Sequence, residues 1–290
     1  IQRLVHGPAG ETEPNLWIFG GSLAFVAFTL SIGLAQIPFA QEIVLIGSLA
    51  IVTFLMQRLF RELPTNTRNA LIGTAVIIFA FRAVPLPGPG ATWFEIDMLG
   101  FDQHFLSILT LITSGLALLG MVMLRPMMAK RSIAYVVALL TIAAGILSLP
   151  NIGLYYGVHE WTARWSAGIV DARFIAILDT AVESPLAQIS MIPMLAWIAK
   201  NAPPHLKATF FAVMASFTNL ALSASSLATK YLNEIFTVTR EVRDRATDTQ
   251  EIAADYTQLG WLLITVAAIT VTAPLVVIGL IQASRFKTRQ

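Results

Sequence analysis

The sequence contains no cysteine, and charged residues make up only 12% of its 290 positions. Without cysteine, the chain forms no disulfide, performs no thiolate chemistry and offers no cysteine ligand to a metal. Soluble domains carry about 25% charged residues, roughly twice this fraction. The composition therefore excludes an ordinary soluble domain, and the small net charge of +2 gives no indication of nucleic-acid binding.

Motifs that bind metals, nucleotides or cofactors are also missing. The histidines, His6, His104, His159 and His205, are scattered and show no His-x-x-x-His spacing. The sequence has no Walker phosphate loop, no Gly-x-Ser-x-Gly nucleophile motif and no aspartate-rich diphosphate motif. We therefore expect no catalytic residues, no metal and no cofactor, and we do not expect an enzyme.

Hydrophobic residues, in contrast, make up 56% of the chain, and the mean hydropathy is +0.71. They occur in unbroken runs of about 20 residues, the length of a membrane-spanning helix. A transmembrane barrel would instead show alternation in segments of about 10 residues. The sequence therefore predicts an all-α polytopic membrane protein with about eight spans, at residues 15–37, 42–60, 69–86, 103–124, 132–150, 171–200, 207–234 and 257–284.

Basic residues lie mainly at one end of the predicted spans. They are Arg58, Arg61, Arg68, Arg125, Lys130, Arg131, Lys200, Lys207, Arg285, Lys287 and Arg289. The connections 38–41 and 87–103 at the other end contain none. Because basic loops stay in the cytoplasm, we expect both termini there, in a bacterial inner membrane or alternatively in an organelle envelope.

Two longer connections lie at the end that has few basic residues. Residues 236–256 carry charges of both signs, and we interpret them as solvated extensions of the flanking helices. Residues 87–102 include Trp93 and Phe94, which favours a loop at the membrane interface.

Two carboxylates interrupt the predicted span 171–200. Asp179 and Glu183 are four residues apart and therefore share one helix face. Ionisable residues inside the bilayer are costly, and they mark function by default. The pair suits a proton acceptor in proton-coupled transport, and Pro185 predicts a kink beside it.

Each polar candidate also has a structural alternative. The alternative for Asp179 is an ion pair with Arg82 that only holds two helices together. Arg82 itself either clamps an anionic carboxylate through its guanidinium fork or extends outward from its helix end. Gln188 and Asn219 either contact substrate or bond between helices.

Two segments resemble the folate–biopterin transporter family of the major facilitator superfamily. The first is TWFEIDMLGFDQHFLSILTLITSGLALLGMVMLRPMMAKRS, residues 92–132. The second and stronger is DARFIAILDTAVESPLAQISMIPMLAWIAKNAPPHLKATFFAVMASFTNL, residues 171–220. The matching positions in the second are Asp171, Asp179-Thr180, Gln188, Pro193, Pro203-Pro204, Thr209, Ser216 and Asn219. Ala202, His205 and Lys207 depart from the family pattern, in a turn placed in the cytoplasm.

The resemblance implies a twelve-helix protein built as two six-helix bundles. Residues 1–64 then supply the last two helices of the N-terminal bundle, and residues 65–290 form the C-terminal bundle. The chain begins with Ile1 rather than methionine, so we expect the first four helices to be missing. A complete eight-helix protein is the alternative.

The resemblance also implies a secondary active transporter of folate- or pterin-like organic anions that works by alternating access. Its partners would be the organic anion, protons and the lipid bilayer. An aspartate would match the amino-pyrimidine edge of a pterin, and Arg82 the glutamate carboxylates of a folate. Two alternatives remain open. One is a non-transporting subunit or assembly factor of a larger membrane complex, and the other is a transporter of an unrelated substrate.

Overall fold

Ten helices and one short hairpin make up the described part of the chain. The computed structural model describes residues 16–35, 37–61, 63–130, 132–187, 207–244 and 249–288. The helices are α1 Leu16–Leu34, α2 Ala40–Phe60, α3 Thr65–Arg82, α4 Pro89–Asp97, α5 Gln103–Lys130, α6 Ile133–Tyr155, α7 Val158–Trp165, α8 Ala172–Ala187, α9 Lys207–Ile235 and α10 Leu259–Ala283. The strands β1 Val242–Arg243 and β2 Gln250–Ile252 pair antiparallel.

Every predicted span contains one of these helices. Within the described residues, five stretches are long and apolar enough to cross a membrane, namely Ala40–Phe60, Gln103–Gly120, Ile133–Tyr155, Lys207–Ile235 and Leu259–Ala283. A shorter apolar stretch covers Phe19–Leu34. The prediction of an all-α polytopic membrane protein is confirmed. The division at residue 64 and the major facilitator arrangement stay predictions.

Large apolar side chains cover the outer faces of the helices. Leu111 is 71% exposed, Ile146 is 60% exposed and Leu280 is 65% exposed. An apolar surface of this extent is unfavourable in water but carries no such penalty against lipid tails. The exposed faces are therefore the surfaces that a bilayer covers.

The main buried cluster joins α2, α3, α6 and α9. Phe60 of α2 stacks on Phe210 of α9, with ring centroids 6.0 Å apart. Phe79 of α3 lies 5.0 Å from Phe217 of α9 by the same measure. This packing holds α9 against both neighbours and joins residues on the two sides of position 64.

Helix α6 is longer than the sequence predicts. Pro150 has no N–H and usually ends or kinks a helix, so the predicted span stops there. The structure continues the helix through Pro150 to Tyr155. Proline is tolerated inside membrane helices, and the last turn is held by packing, since Leu154 is buried against Phe101 and Phe105. The extension places Asn151 on a helix rather than in a loop.

One end of the bundle is covered by α4, α7 and the β-hairpin, and we call it the capped end. The interpretation of residues 236–256 as helix extensions is wrong, because α9 ends at Ile235 and β1 pairs with β2 in this connection. An isolated bridge between Thr239 and Asp255 lengthens the hairpin. The segment FTVTREV is rich in β-branched residues, which favours strand over helix.

Three side chains of α9 hold the backbone that leads into α4. Ser225 donates to the carbonyl of Val84 at 2.5 Å, and Asn233 donates to that of Pro87 at 3.2 Å. Between them, Thr229 accepts from the Leu86 N–H at 2.9 Å. Since the three α9 residues are four positions apart, they lie on one face and fix this irregular segment over its length.

Asp97, at the end of α4, joins this helix to the hairpin. Arg240 donates to its two carboxylate oxygens at 2.8 and 3.0 Å, and the Tyr256 hydroxyl donates at 2.6 Å. These hydrogen bonds lower the pKa of Asp97. Burial and the bond to Asp97 raise the pKa of Tyr256 to about 12, so Tyr256 remains a donor at neutral pH. We call this group the Asp97 clamp.

Asp97→Asn removes the charge that both donors recognise. We expect a loss of about 0.5–1 kcal/mol in stability at pH 7, because the pair is partly exposed. A lowered pKa means that the contribution is present at neutral pH and is lost as the pH falls below about 4. The melting temperatures of the purified wild type and the variant should therefore differ at pH 7 and converge in acid.

Glu251→Gln is the matched control, since Glu251 is an exposed residue on β2 of the same hairpin. It should leave the melting temperature unchanged across the pH range. A constant difference between wild type and Asp97→Asn down to pH 3 would contradict the role of the Asp97 charge.

Candidate functional site

Two adjacent cavities lie beneath the capped end. The larger has a volume of about 310 Å³ and lies between the end of α3, α6, α8 and α10. The smaller, of about 140 Å³, lies under α4. Both are lined by Pro87, Asn151 and Leu263. Most of the remaining lining is apolar, so the few polar groups at these walls decide what the cavities accept.

Asn151 and Asp179 form the central contact of the site. The Asn151 amide donates from Nδ2 to Asp179 Oδ2 at 3.0 Å, which joins α6 to α8. Asp179 is only 7% exposed, and its other oxygen, Oδ1, is buried without a hydrogen-bond partner. One oxygen of the carboxylate is thus held in place, while the other remains available to accept a proton or an N–H group.

Glu183 lies one turn further along α8 and lines the larger cavity. Unlike Asp179, it belongs to the exposed residues. The structure therefore brings together the two carboxylates that the sequence predicts on one face, and it separates their roles by accessibility. Asp179 is enclosed, whereas Glu183 is open to the cavity.

Glu95 is a third carboxylate in the same region. It belongs to α4, lines the smaller cavity and interacts electrostatically with Asp179. Its side chain is partly buried, and burial raises its pKa. The described residues that line the two cavities include no lysine, arginine or histidine, so the site is acidic.

Arg82 does not meet Asp179. It ends α3, is partly buried and carries a buried Nε without a hydrogen-bond partner. The alternative of an Arg82–Asp179 pair is absent from the described part of the chain, where Asp179 bonds Asn151 instead. Phe81 and Val84 line the larger cavity, whereas Arg82 is not among the residues that line either cavity, and it forms no ion pair within the described residues.

Asn219 lies elsewhere, on the exposed face of α9. Ser216, Ser223 and Ser226 share this face at helical spacing and are also exposed. We call these four residues the α9 polar stripe. Gln188, the remaining predicted site residue, lies outside the described residues.

Sequence reasoning missed Asn151 and Glu95. Asn151 directly follows Pro150, where the predicted span ends, and Glu95 falls in a connection interpreted as an interfacial loop. A signal for Asn151 was nevertheless present, since an amide beside an apolar run often bonds between helices. No pattern along the sequence shows that Glu95 faces inward.

The described residues contain no three His, Asp or Glu side chains placed to hold a metal ion together. Instead, Glu183 lines the larger cavity, Glu95 lines the smaller one, and Asp179 bonds Asn151, which lines both. Such an arrangement can accept protons, or accept the N–H edge of a flat heterocycle, without a bound metal.

The sequence resembles those of known proteins over most of its length. The chain matches the BT1 family over residues 35–289. A curated relative, the folate-biopterin transporter of Synechocystis sp., is 26% identical over 169 residues, which is 57% of this chain and 33% of the relative. The chain thus aligns with about a third of that relative's length. No solved structure matches this chain. Since the family match covers most of the chain and confirms the resemblance seen in the sequence, the protein belongs to the BT1 family.

Proposed function

We propose that the protein is a secondary active transporter of folate- or pterin-like organic anions, coupled to protons and working by alternating access. The BT1 family and the name of the Synechocystis relative support the substrate class. The observation that carries the proposal is the enclosed Asp179 carboxylate, with one oxygen held by Asn151 and the other without a partner. A carboxylate at this depth is costly, and function is the usual reason for its presence.

The chemistry of a pterin fits the acidic walls of the site. Its amino-pyrimidine edge presents N–H donors, which Asp179 and Glu183 can accept. The same oxygens can accept protons, so proton and substrate compete for or share one pair of groups. Arg82 would receive the carboxylate end of the anion through its guanidinium. The unpartnered Nε of Arg82 supports this assignment.

The α9 polar stripe supports a path for a polar substrate. Polar residues in membrane helices face protein or a water-filled cavity rather than lipid. We therefore propose that Asn219 faces an aqueous path between two bundles, one that includes residues 1–64 and one formed by residues 65–290. Gln188 completes the proposed substrate-binding set.

We further propose that the protein lies in a bacterial inner membrane with both termini in the cytoplasm. The basic residues near the chain's C-terminus and in the connections at the same end support this orientation. The capped end, with its hairpin, would then face the outside. Water and protons from that side would reach the cavities past α4.

The absence of native cysteine makes the orientation directly testable. Glu251→Cys places a single thiol in the hairpin, and Lys287→Cys places one near the C-terminus, both at exposed positions. In intact cells, a membrane-impermeant maleimide should label only Glu251→Cys. Lys287→Cys should react after the membrane is permeabilised. The reverse pattern would contradict the proposed orientation.

Uptake in proteoliposomes tests the transport activity. The wild-type protein should accumulate tritiated folic acid in a saturable manner, and an inward proton gradient should accelerate this uptake. Asp179→Asn should reduce gradient-driven uptake by about 100-fold or more, because a positioned proton-transfer group contributes at least this much. Initial rates with and without the gradient measure the effect.

Asp171→Asn provides a matched control on the same helix. Asp171 caps α8, where its Oδ1 accepts from the Phe174 N–H at 2.8 Å. Since asparagine and aspartate cap helices equally well, this variant should transport normally. Unchanged uptake in Asp179→Asn would contradict the role of Asp179. No saturable uptake by the wild type would contradict the transporter and favour a non-transporting subunit or assembly factor.

The Asn151–Asp179 contact can be separated from general stability by a double-mutant cycle. Asn151→Leu leaves Asp179 without its donor, so we expect a loss of about 1–3 kcal/mol and a lower melting temperature. Asn151→Leu combined with Asp179→Leu removes both polar partners and should recover much of that stability. The double variant should not transport, because it lacks the Asp179 carboxylate. Recovered stability without recovered transport would show that the contact is functional and not only structural.

A further inference from the structure

Glu95 occupies a position between the capped end and the buried site. It lies on α4, two residues before the Asp97 clamp that fixes this helix to the hairpin. Its side chain lines the smaller cavity, while neighbouring Asp97 points to Arg240 and Tyr256. The clamp thus fixes the helix whose Glu95 carboxylate lines the smaller cavity.

Asn151 stands between the smaller cavity and Asp179. Asn151, which bonds Asp179, lines this cavity together with Glu95. A volume of about 140 Å³ has room for water molecules, since one water needs about 10–15 Å³ of this measure. Asp179 lies behind Asn151, and its buried Oδ1 is an acceptor without a hydrogen-bond partner.

A structural role does not account for Glu95. Among the described residues it forms no ion pair, because Arg240 is already bound to Asp97. The nearest titratable groups are Asp97, Arg240 and Tyr256 in the clamp, Tyr155 of α6, which contacts the adjacent Phe94, and Asp179 of α8, which interacts with Glu95 electrostatically. No free cation among these would neutralise it. A partly buried carboxylate without a counter-charge favours a group that takes up and releases a proton.

We propose that Glu95 is the proton-entry residue of the site, which receives a proton from water at the capped end and delivers it through the smaller cavity to Asp179. This inference rests on the proposed proton coupling and adds the route by which the proton arrives. The match to the BT1 family assigns no role to Glu95.

The transfer balances as a simple proton relay. Protonated Glu95 donates its O–H proton to water in the cavity, and that water gives a proton to Asp179 Oδ1. Glu95 is left as a carboxylate and is protonated again from the aqueous side. Asn151 keeps Asp179 Oδ2 engaged throughout, so Oδ1 is the oxygen that changes its protonation state.

Infrared spectroscopy tests the relay without reference to any substrate. In the purified full chain, the carboxylic C=O band that disappears in Asp179→Asn reports protonation of Asp179. After a rapid drop in pH, this band should appear about 100-fold more slowly in Glu95→Gln than in the wild type. An unchanged rate would overturn the proposal.

Two further variants separate the relay from a change in folding. Glu160→Gln removes an exposed carboxylate of α7, at the same end of the bundle, and should leave the rate unchanged. Glu95→Asp keeps a proton-carrying group and should restore most of the wild-type rate. Equally slow protonation in Glu95→Asp and Glu95→Gln would overturn the proposal, since it would indicate a packing effect.

Transport assays then distinguish the relay from the transporter itself. With tritiated folic acid in proteoliposomes, Glu95→Gln should lose gradient-driven uptake but keep exchange of labelled for unlabelled folic acid at equal pH. Loss of both activities in the folded variant would overturn the relay, because Glu95 would then act on the substrate. Absence of both activities in the wild type would contradict the proposed function, and the infrared rates would still decide the role of Glu95.

Discussion

The cost of enclosing a carboxylate within a membrane protein is the constraint on which the site depends. Asp179 is almost fully enclosed, and a single amide hydrogen bond from Asn151 holds one of its oxygens. That bond requires α6 to continue past Pro150, so that Asn151 stands on a helix facing α8. It also requires α8 to begin at the capped end with Asp171 as its cap. One local departure from simple helix rules, the continuation of α6 through Pro150, thus serves this buried group.

The capped end gives the site its other boundary. The α9 side chains Ser225, Thr229 and Asn233 fix residues 84–87, and these residues form part of the wall of the larger cavity. The Asp97 clamp fixes α4, which carries Glu95 over the smaller cavity. An ion pair is thus used at the solvent boundary, where water reduces its cost, whereas the deeper Asp179 carboxylate is held by a neutral amide donor. The polar network positions a few carboxylates inside walls that are otherwise apolar.

The relation between site and transport follows from where the polar groups lie. The acidic cavities are enclosed within one group of helices, whereas the α9 polar stripe with Asn219 is exposed on another face. In the proposed mechanism the acidic cavities hold protons and the N–H edge of the substrate, and the α9 polar stripe faces the path of the anion. Proton binding at these oxygens can alter both the packing of α6 and α8 and their contact with the N–H edge of the substrate. Such coupling needs only a difference in proton affinity between two arrangements of the helices.

The sequence by itself determined the fold class and the helices, because apolar runs of membrane length leave the backbone few alternatives to helix. It also determined that Asp179 and Glu183 share a face, since helical periodicity alone places residues four apart together. Tertiary structure decided the partners. Asp179 meets Asn151 rather than Arg82, Glu95 turns inward from a short helix, and β1 pairs with β2 in the connection after α9. Each of these depends on contacts between residues far apart in the chain, such as the 28 positions between Asn151 and Asp179, and no local pattern specifies such contacts.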